Sequence, residues 1–317
     1  MRLKEIYEKA LSFGIQQDPR GKTGVDEELA RLRESYEELT ESQKATFDME
    51  RLRNPYADTA ILNGDPETEV KSILVGIDME TQEIVLADRL REKRGKLDLV
   101  MAHHPEGRAL AGFYNVMYMQ ADILHKFGVP INIAEALIEE RVKEVEKGIL
   151  PLNHHRAVDC AKLLDMPFMC VHTPADNCVV KFLQTMMDEK SPRLVKDVIK
   201  ILEEIPEYKK SKENNCAIKV VCGAESHRAG RIFVDMTGGT EGSTKNYDRL
   251  AISGVGTIIA MHMTKEHIKE AEKNSINVII AGHIASDNVG LNLILDKITE
   301  NEEIEIIPCS GFYRVKR

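Results

Sequence analysis

The sequence predicts an α/β protein, built as two related α/β lobes preceded by a helical arm. Three observations carry that prediction. An apolar run, a helical stretch and a second apolar run follow one another between residues 72 and 105, and the same order returns between 251 and 283. Strand, helix, strand at this spacing is the pattern of a βαβ unit with a parallel pair. The second run of each unit finishes in Ala-X-His, which suggests that the halves are related. The first 57 residues, by contrast, are polar and helical in period.

Taken in order, residues 1–57 form the arm. Leu3, Ile6, Tyr7, Ala10 and Leu11 recur at helical spacing until QQDPRGKTG breaks the pattern, and Leu29, Leu32, Tyr36 and Leu39 stripe a second helix before Asn54-Pro55 ends the region. Such helices bury little alone, so the arm is expected to pack on the main body or on a neighbouring subunit. The first lobe is expected over 58–180. SILVGID (72–78) reads as a strand, IVLADRLREKRG as a helix closed by its glycine, DLVMAHHP (98–105) as a strand, and DMPFMCVHTPAD (165–176) as a third strand ending in polar residues. A helical connector is expected over 181–216, with its charged run EYKKSKEN as a solvated loop. The second lobe, 217–317, takes AISGVGTIIAMH (251–262) as a strand, TKEHIKEAEKNS as a helix capped by Thr264, and INVIIAGH (276–283) as another strand.

Composition narrows the function. With 43% hydrophobic and 30% charged residues, 317 residues suffice for a real core. A formal net charge of −9 argues against a nucleic-acid or anionic-membrane binder, which ordinarily carries a basic excess. No apolar run approaches the roughly 20 residues that span a bilayer. The start, MRLKEIYEKALSFGI, has no uninterrupted apolar stretch of the secretory kind. The six cysteines form no CxxC pair and read as reduced thiols, so a cytoplasmic protein is expected.

In open α/β sheets, function collects at the carboxyl ends of strands. Three polar clusters occupy such positions: His103-His104-Pro105, then His172-Thr173-Pro174-Ala175-Asp176, then Gly282-His283 with Asp287. Imidazole nitrogens and carboxylate oxygens together suit zinc, manganese or ferrous iron, and a carboxylate can bridge two cations. A pair of divalent metal ions held by His103, His104, Asp176, His283 and Asp287 is therefore the expected centre. Each cluster alone has a plainer reading, since His-Thr-x-x-Asp suits a helix N-cap and Gly-His suits a turn.

The clusters resemble those of the NIF-three-like family (NGG-one-interacting-factor-three, often labelled type two GTP cyclohydrolase), whose pattern runs His-His-Pro, His-Thr-x-x-Asp, Gly-His-x-x-x-Glu. The matching stretches are AHHP (102–105), HTPAD (172–176) and GHIASD (282–287), with Asn63-Gly64-Asp65, Gly230-Arg231, the glycine loop TGGTEG (237–242) and His267 falling in the same order. The resemblance covers residues 58 to 317. It implies that His103, His104 and His283 bind metal terminally, that Asp176 and Asp287 bridge or share the pair, and that His172 orients Asp176 or a bound water. A satisfied strand-end histidine is the alternative at 172. It also implies a metal-binding cleft between the lobes, a ring-like homo-oligomer (often a hexamer) and, from the family label, a hydrolase acting on a nucleotide-like or phosphorylated small molecule. A non-catalytic metal-binding or regulatory protein is the alternative.

The chain departs from the pattern in three places. Position 287 is Asp where the family has Glu, so its shorter arm needs a shifted backbone, an intervening water or the loss of one metal. His-His-Pro continues as Glu106-Gly107-Arg108. There Arg108 is available to grip a phosphate or carboxylate and Glu106 to act as a base, with a surface Arg–Glu pair as the alternative. Residues 106–170 are longer and more helical than the family norm, and the arm is additional. Beyond the clusters, His154-His155 follow a capping Asn153 and offer either metal contact or an exposed helix start. TGGTEG lacks the P-loop lysine and is either an anion-cradling or simply a tight turn.

Overall fold

The computed structural model describes all residues, 1–317. The chain opens with α1 (Leu3–Gln17), α2 (Gly21–Glu37) and the short α3 (Glu41–Lys44). The first lobe follows as β1 (Ala60–Asn63), β2 (Ser72–Gly76), α4 (Thr81–Arg94), β3 (Leu99–Ala102), α5 (Gly107–Ala111), α6 (Met119–Lys126), α7 (Ile131–Ile149), α8 (Arg156–Leu163) and β4 (Phe168–Cys170). Three helices come next: α9 (Thr173–Lys190), α10 (Val195–Glu203) and α11 (Pro206–Glu213). The second lobe contributes β5 (Lys219–Cys222), β6 (Arg231–Asp235), α12 (Tyr247–Ile252), β7 (Val255–Ala260), α13 (Lys265–Lys273), β8 (Asn277–Ile280) and α14 (His283–Thr299), and β9 (Glu305–Pro308) closes the chain.

Two sheets form, ordered β1-β4-β3-β2-β9 and β5-β8-β7-β6. Within each, an edge strand runs antiparallel to its neighbour (β1 on β4, β5 on β8) and the next two pairings are parallel. The lobes thus share one topology, which sets β3 against β7 and β4 against β8. The echo differs from the one expected. AHH after β3 corresponds to Ala260-Met261-His262 after β7, and VHTPADN after β4 corresponds to GHIASDN after β8, each with His-x-x-x-Asp-Asn. The backbone agrees to within one residue, since the Val171 amide donates to the Ala102 carbonyl and the Ala281 amide to the Ala260 carbonyl, both at 2.9 Å, with one extra residue before the second motif. β9 crosses back to pair with β2, so the last residues complete the first sheet.

α9 and α14 join the lobes. α9 from Thr173 to Val180 and α14 from Ala285 to Asn292 are buried all round, with one face in the first-lobe core beside Leu291 and Ile294 and the other in the second-lobe core beside Val179, Val289 and Leu183. Gly290 makes their crossing possible, because a Cβ there would lie 2.3 Å from the Ala175 carbonyl oxygen.

α1 takes the first of the two expected places: Leu3, Ile6, Tyr7, Ala10 and Leu11 enter the first-lobe core, so the N-terminal region packs in cis. Three expectations need correction. On α2 only Val25 and Leu29 are buried, and Leu32 and Tyr36 stay half-exposed. The run EYKKSKEN is helical rather than looped, because Pro206 starts α11 and Glu207 and Tyr208 are buried. Residues 251–252 end a helix, with the strand beginning only at Val255 after Gly254. Thr264 caps α13 as expected, accepting from the His267 amide, and Gly95 closes α4 in the left-handed conformation. No helix is long and apolar enough to cross a membrane.

Candidate metal centre

The carboxyl ends of β3, β4 and β8 meet where α9 and α14 cross. Past β3 the backbone stays tied to β2, the His103 amide donating to the Gly76 carbonyl and the His104 amide to the Ile77 carbonyl. Both imidazoles therefore leave the sheet at one edge. Asp176 sits in the first turn of α9, where the helix dipole favours a carboxylate, and Asp287 follows on the second turn of α14.

Each imidazole is oriented from behind. His103 donates from Nδ1 to the Val171 carbonyl at 3.0 Å, and His104 from Nδ1 to Asp78 at 2.6 Å. Both Nε2 atoms then face the acids. His103 Nε2 lies 3.4 Å from Asp176 Oδ1 and 3.4 Å from Asp287 Oδ1, while His104 Nε2 and His283 Nε2 each lie 3.6 Å from Asp287 Oδ2. These distances are too long for charge-assisted hydrogen bonds, which run about 2.7–2.9 Å. They match two atoms that each sit roughly 2.0–2.2 Å from a shared cation. His103 Nε2, Asp176 Oδ1 and both Asp287 oxygens are buried without a hydrogen-bond partner. Four buried ligand atoms without hydrogen-bond partners, gathered where α9 and α14 cross, are what a metal centre requires, so the residues fit the group.

Three groupings have ligand atoms close enough to share an ion: His103, Asp176 and Asp287; His104, His283 and Asp287; and His103, His104 and His172. The first is wholly buried; the second opens to solvent through His104 and His283. Asp287 belongs to both, one oxygen to each, so its shorter side chain reaches both clusters without a water between.

The charges respond as such packing requires. Burial alone would press the His103 and His104 imidazoliums down, but the Asp287 carboxylate and its neighbours outweigh it and raise both. Burial would raise Asp287, yet His103 and His104 hold it far below the usual carboxylate range. For His283 burial prevails and its pKa falls. Glu106 is pushed up to about 7 by burial and by Glu80.

The remaining expected residues divide. His172 is at the site: its Nδ1 is 2.7 Å from Asp58 Oδ2, and Asp58 also accepts from the Thr173 hydroxyl at 2.6 Å. Arg108 is not gathered in; its guanidinium pairs with exposed Asp48 at 2.6 Å and lines a separate groove with Asn115. His154 Nε2 donates to the Ile149 carbonyl, and Asn153 accepts from the His155 amide, so this pair belongs to a helix start. TGGTEG is a tight turn: Gly238 and Gly239 both have φ near +86°, and Gln120 Nε2 donates to the Gly238 and Thr240 carbonyls.

Asp58, Asp78, Asp235, Glu241 and His262 are additional to the expected set. Asp78 closes SILVGID, beside the strand that ends in His103, so strand adjacency signals it. Asp58 precedes β1, and only because β1 is antiparallel does its start lie at the same edge as the ends of β2, β3 and β4. From the second lobe, the ring of His262, the counterpart of His104, lies tilted at 56° with its centroid 4.9 Å from that of His283, and meets Glu241 at 3.2 Å. Asp235, at the end of β6, opens onto the cleft with its side chain accessible to solvent.

No family model and no curated protein matches the chain. Solved structures do. A NIF3 superfamily protein from Sphaerobacter thermophilus is 29% identical and superposes with a TM-score of 0.69, covering 80% of this chain and 91% of its own. HcgD from Methanocaldococcus jannaschii, in its reduced state, is 16% identical with a TM-score of 0.51 over 79% of this chain and 88% of its own, a likeness of fold. With the three motifs in order, a two-lobed fold and a His/Asp cluster at the crossing helices, the chain shares the fold and motif order of the NIF3-like family.

Proposed function

We propose that the protein is a dinuclear metal-dependent hydrolase of a nucleotide-like or phosphorylated small molecule. His103 and Asp176 would hold one cation, His104 and His283 the other, with Asp287 between them. The observation that carries this reading is the pair of buried Asp287 oxygens, unpartnered and each set against imidazole nitrogens of a different cluster. Two bound divalent cations supply Lewis acidity, polarising a substrate oxygen and making water more acidic.

The protein's own groups do the rest. Asp58 fixes His172 with its proton on Nδ1 and its Nε2 lone pair free, which suits it to take a proton from water and pass it to a leaving group. Glu106, held near neutrality on the solvent side beside Asp78, is a second proton carrier. The buried ligands His103, Asp176 and Asp287 keep bulk water from one cluster, and the half-exposed His104 and His283 admit substrate to the other.

Elemental analysis of the purified protein beside Asp287→Ala and His104→Ala tests the centre. Near two equivalents of zinc, manganese or iron are expected in the wild type, nearly none in Asp287→Ala and a partial loss in His104→Ala. Unchanged metal in both variants would remove it. A screen of phosphoesters and nucleotides with added manganese or zinc tests turnover, and full metal with no turnover on any of them would favour a non-catalytic metal-binding protein.

A further inference from the structure

A small recess opens off the cleft on the second-lobe side, sharing Asp235, Thr237 and Tyr247 with it. Its inner wall is apolar, formed by Leu124, Val180, Phe233, Leu250 and Ile258, and about 30 Å³ of space remains inside. That is room for roughly two waters or one small polar group.

Its polar groups are one-sided. The Thr237 hydroxyl donates to Asn177 Oδ1 at 2.7 Å, the Tyr247 hydroxyl to Met263 Sδ at 3.6 Å, and His267 Nε2 to the Gly242 carbonyl at 3.0 Å. Gln120 Nε2 is held by two loop carbonyls, which leaves its carbonyl oxygen. Asn246 is 4% exposed, lines the recess, and its Oδ1 is buried with no partner. Asp235 adds a carboxylate that makes no side-chain hydrogen bond across the cleft mouth. These donors are committed and the Asn246 Oδ1 and Asp235 acceptors are free, with the Ser243 hydroxyl and Asn246 Nδ2 as the donors that remain. Neither recess nor cleft is lined by a single Lys or Arg.

We propose that this recess is a specificity subsite for a nitrogen group rich in N–H donors, amino or amidino, carried by the substrate and bound through Asp235 and Asn246. A buried acceptor without a partner is destabilising, and such a group satisfies it. A phosphate finds no cation here and would have to sit on the metals. The assignment rests on the cleft being a substrate site and gives that site its chemical preference.

Guanidinium and inorganic phosphate, each at low millimolar concentration, are the probes, with binding to the full metal-free chain followed by NMR. Guanidinium is expected to bind the wild type, at least tenfold more weakly to Asp235→Asn and Asn246→Leu, and as well or better to Asn246→Asp, which keeps an acceptor in place. Phosphate is expected not to bind. Thermal melts confirm that each variant folds, and Asp235→Asn with Asn246→Asp decide the matter should Asn246→Leu unfold. No guanidinium binding, binding indifferent to these substitutions, or a preference for phosphate would overturn the proposal. Zinc uptake by the same metal-free chain, measured separately, distinguishes the two readings. Guanidinium binding by a chain that takes up no added zinc would refute the metal centre and leave the recess standing; zinc uptake without guanidinium binding would refute the recess alone.

Discussion

A carboxylate behind an imidazole decides which nitrogen faces the chemistry. Asp78 does this for His104, the Val171 carbonyl for His103 and Asp58 for His172, so the three rings present Nε2 forward. Of these, Asp58 is the sharpest to test, since it reaches the site only through His172 and Thr173. Asp58→Asn should leave metal content unchanged and lower turnover about 10–100-fold, the usual range for such supporting partners. A variant with wild-type turnover would reduce His172 to a satisfied strand-end histidine. The ligand types were readable from the sequence because His and Asp at strand ends have few other uses in such numbers. Their supporters were not, because Asp58 becomes a neighbour of His172 only when an edge strand runs backwards.

The elements matter here through one crossing. α9 carries Asp176, α14 carries Asp287, and Gly290 lets the helices close until Ala175 and Gly290 touch. Gly290→Ala would force them apart. It should cost about 1–3 kcal/mol of stability as an overpacked core contact, and it should lower metal affinity more than an Ala substitution on the exposed face of α13 does. Equal melting temperature and equal metal content would show that the crossing tolerates a Cβ. α11 bears on the same place: buried Tyr208 donates to Ser286, one residue before Asp287, at 2.9 Å. Its charged sequence pointed to solvent, and a single buried aromatic outweighed that pattern. Periodicity located most helices and strands, but it read the end of α12 as strand, since Ala-Ile-Ser-Gly-Val is apolar enough for either.

For the whole molecule, metal is expected to act as a structural ligand as well as a chemical one. The centre draws ligands from both lobes, so anything that binds it favours the folded chain. At a free concentration of 1,000 times Kd, the gain is about 4 kcal/mol. Added zinc should therefore raise Tm, and a chelator should reverse the gain. Because His103 and His104 hold their protons above the ordinary imidazole range in the metal-free protein, a cation must displace them. Zinc uptake should release protons and weaken as pH falls below neutrality. Calorimetry in two buffers of unlike ionisation enthalpy measures this directly. Identical apparent enthalpies and a pH-independent affinity would contradict proton displacement.

Local chemistry and spacing were enough to name the α/β class, the two related lobes, the family resemblance and the residues His103, His104, His172, Asp176, His283 and Asp287, because short motifs and strand periodicity are properties of neighbouring residues. Which half-motif answers which, the place of α1 in the core, the departure of Arg108 to Asp48, and the contribution of Asp58, Asp235, Asn246 and His262 were fixed by strand order and helix crossing. Those are long-range pairings, set by which surfaces bury best against one another, and no window along the chain contains both partners.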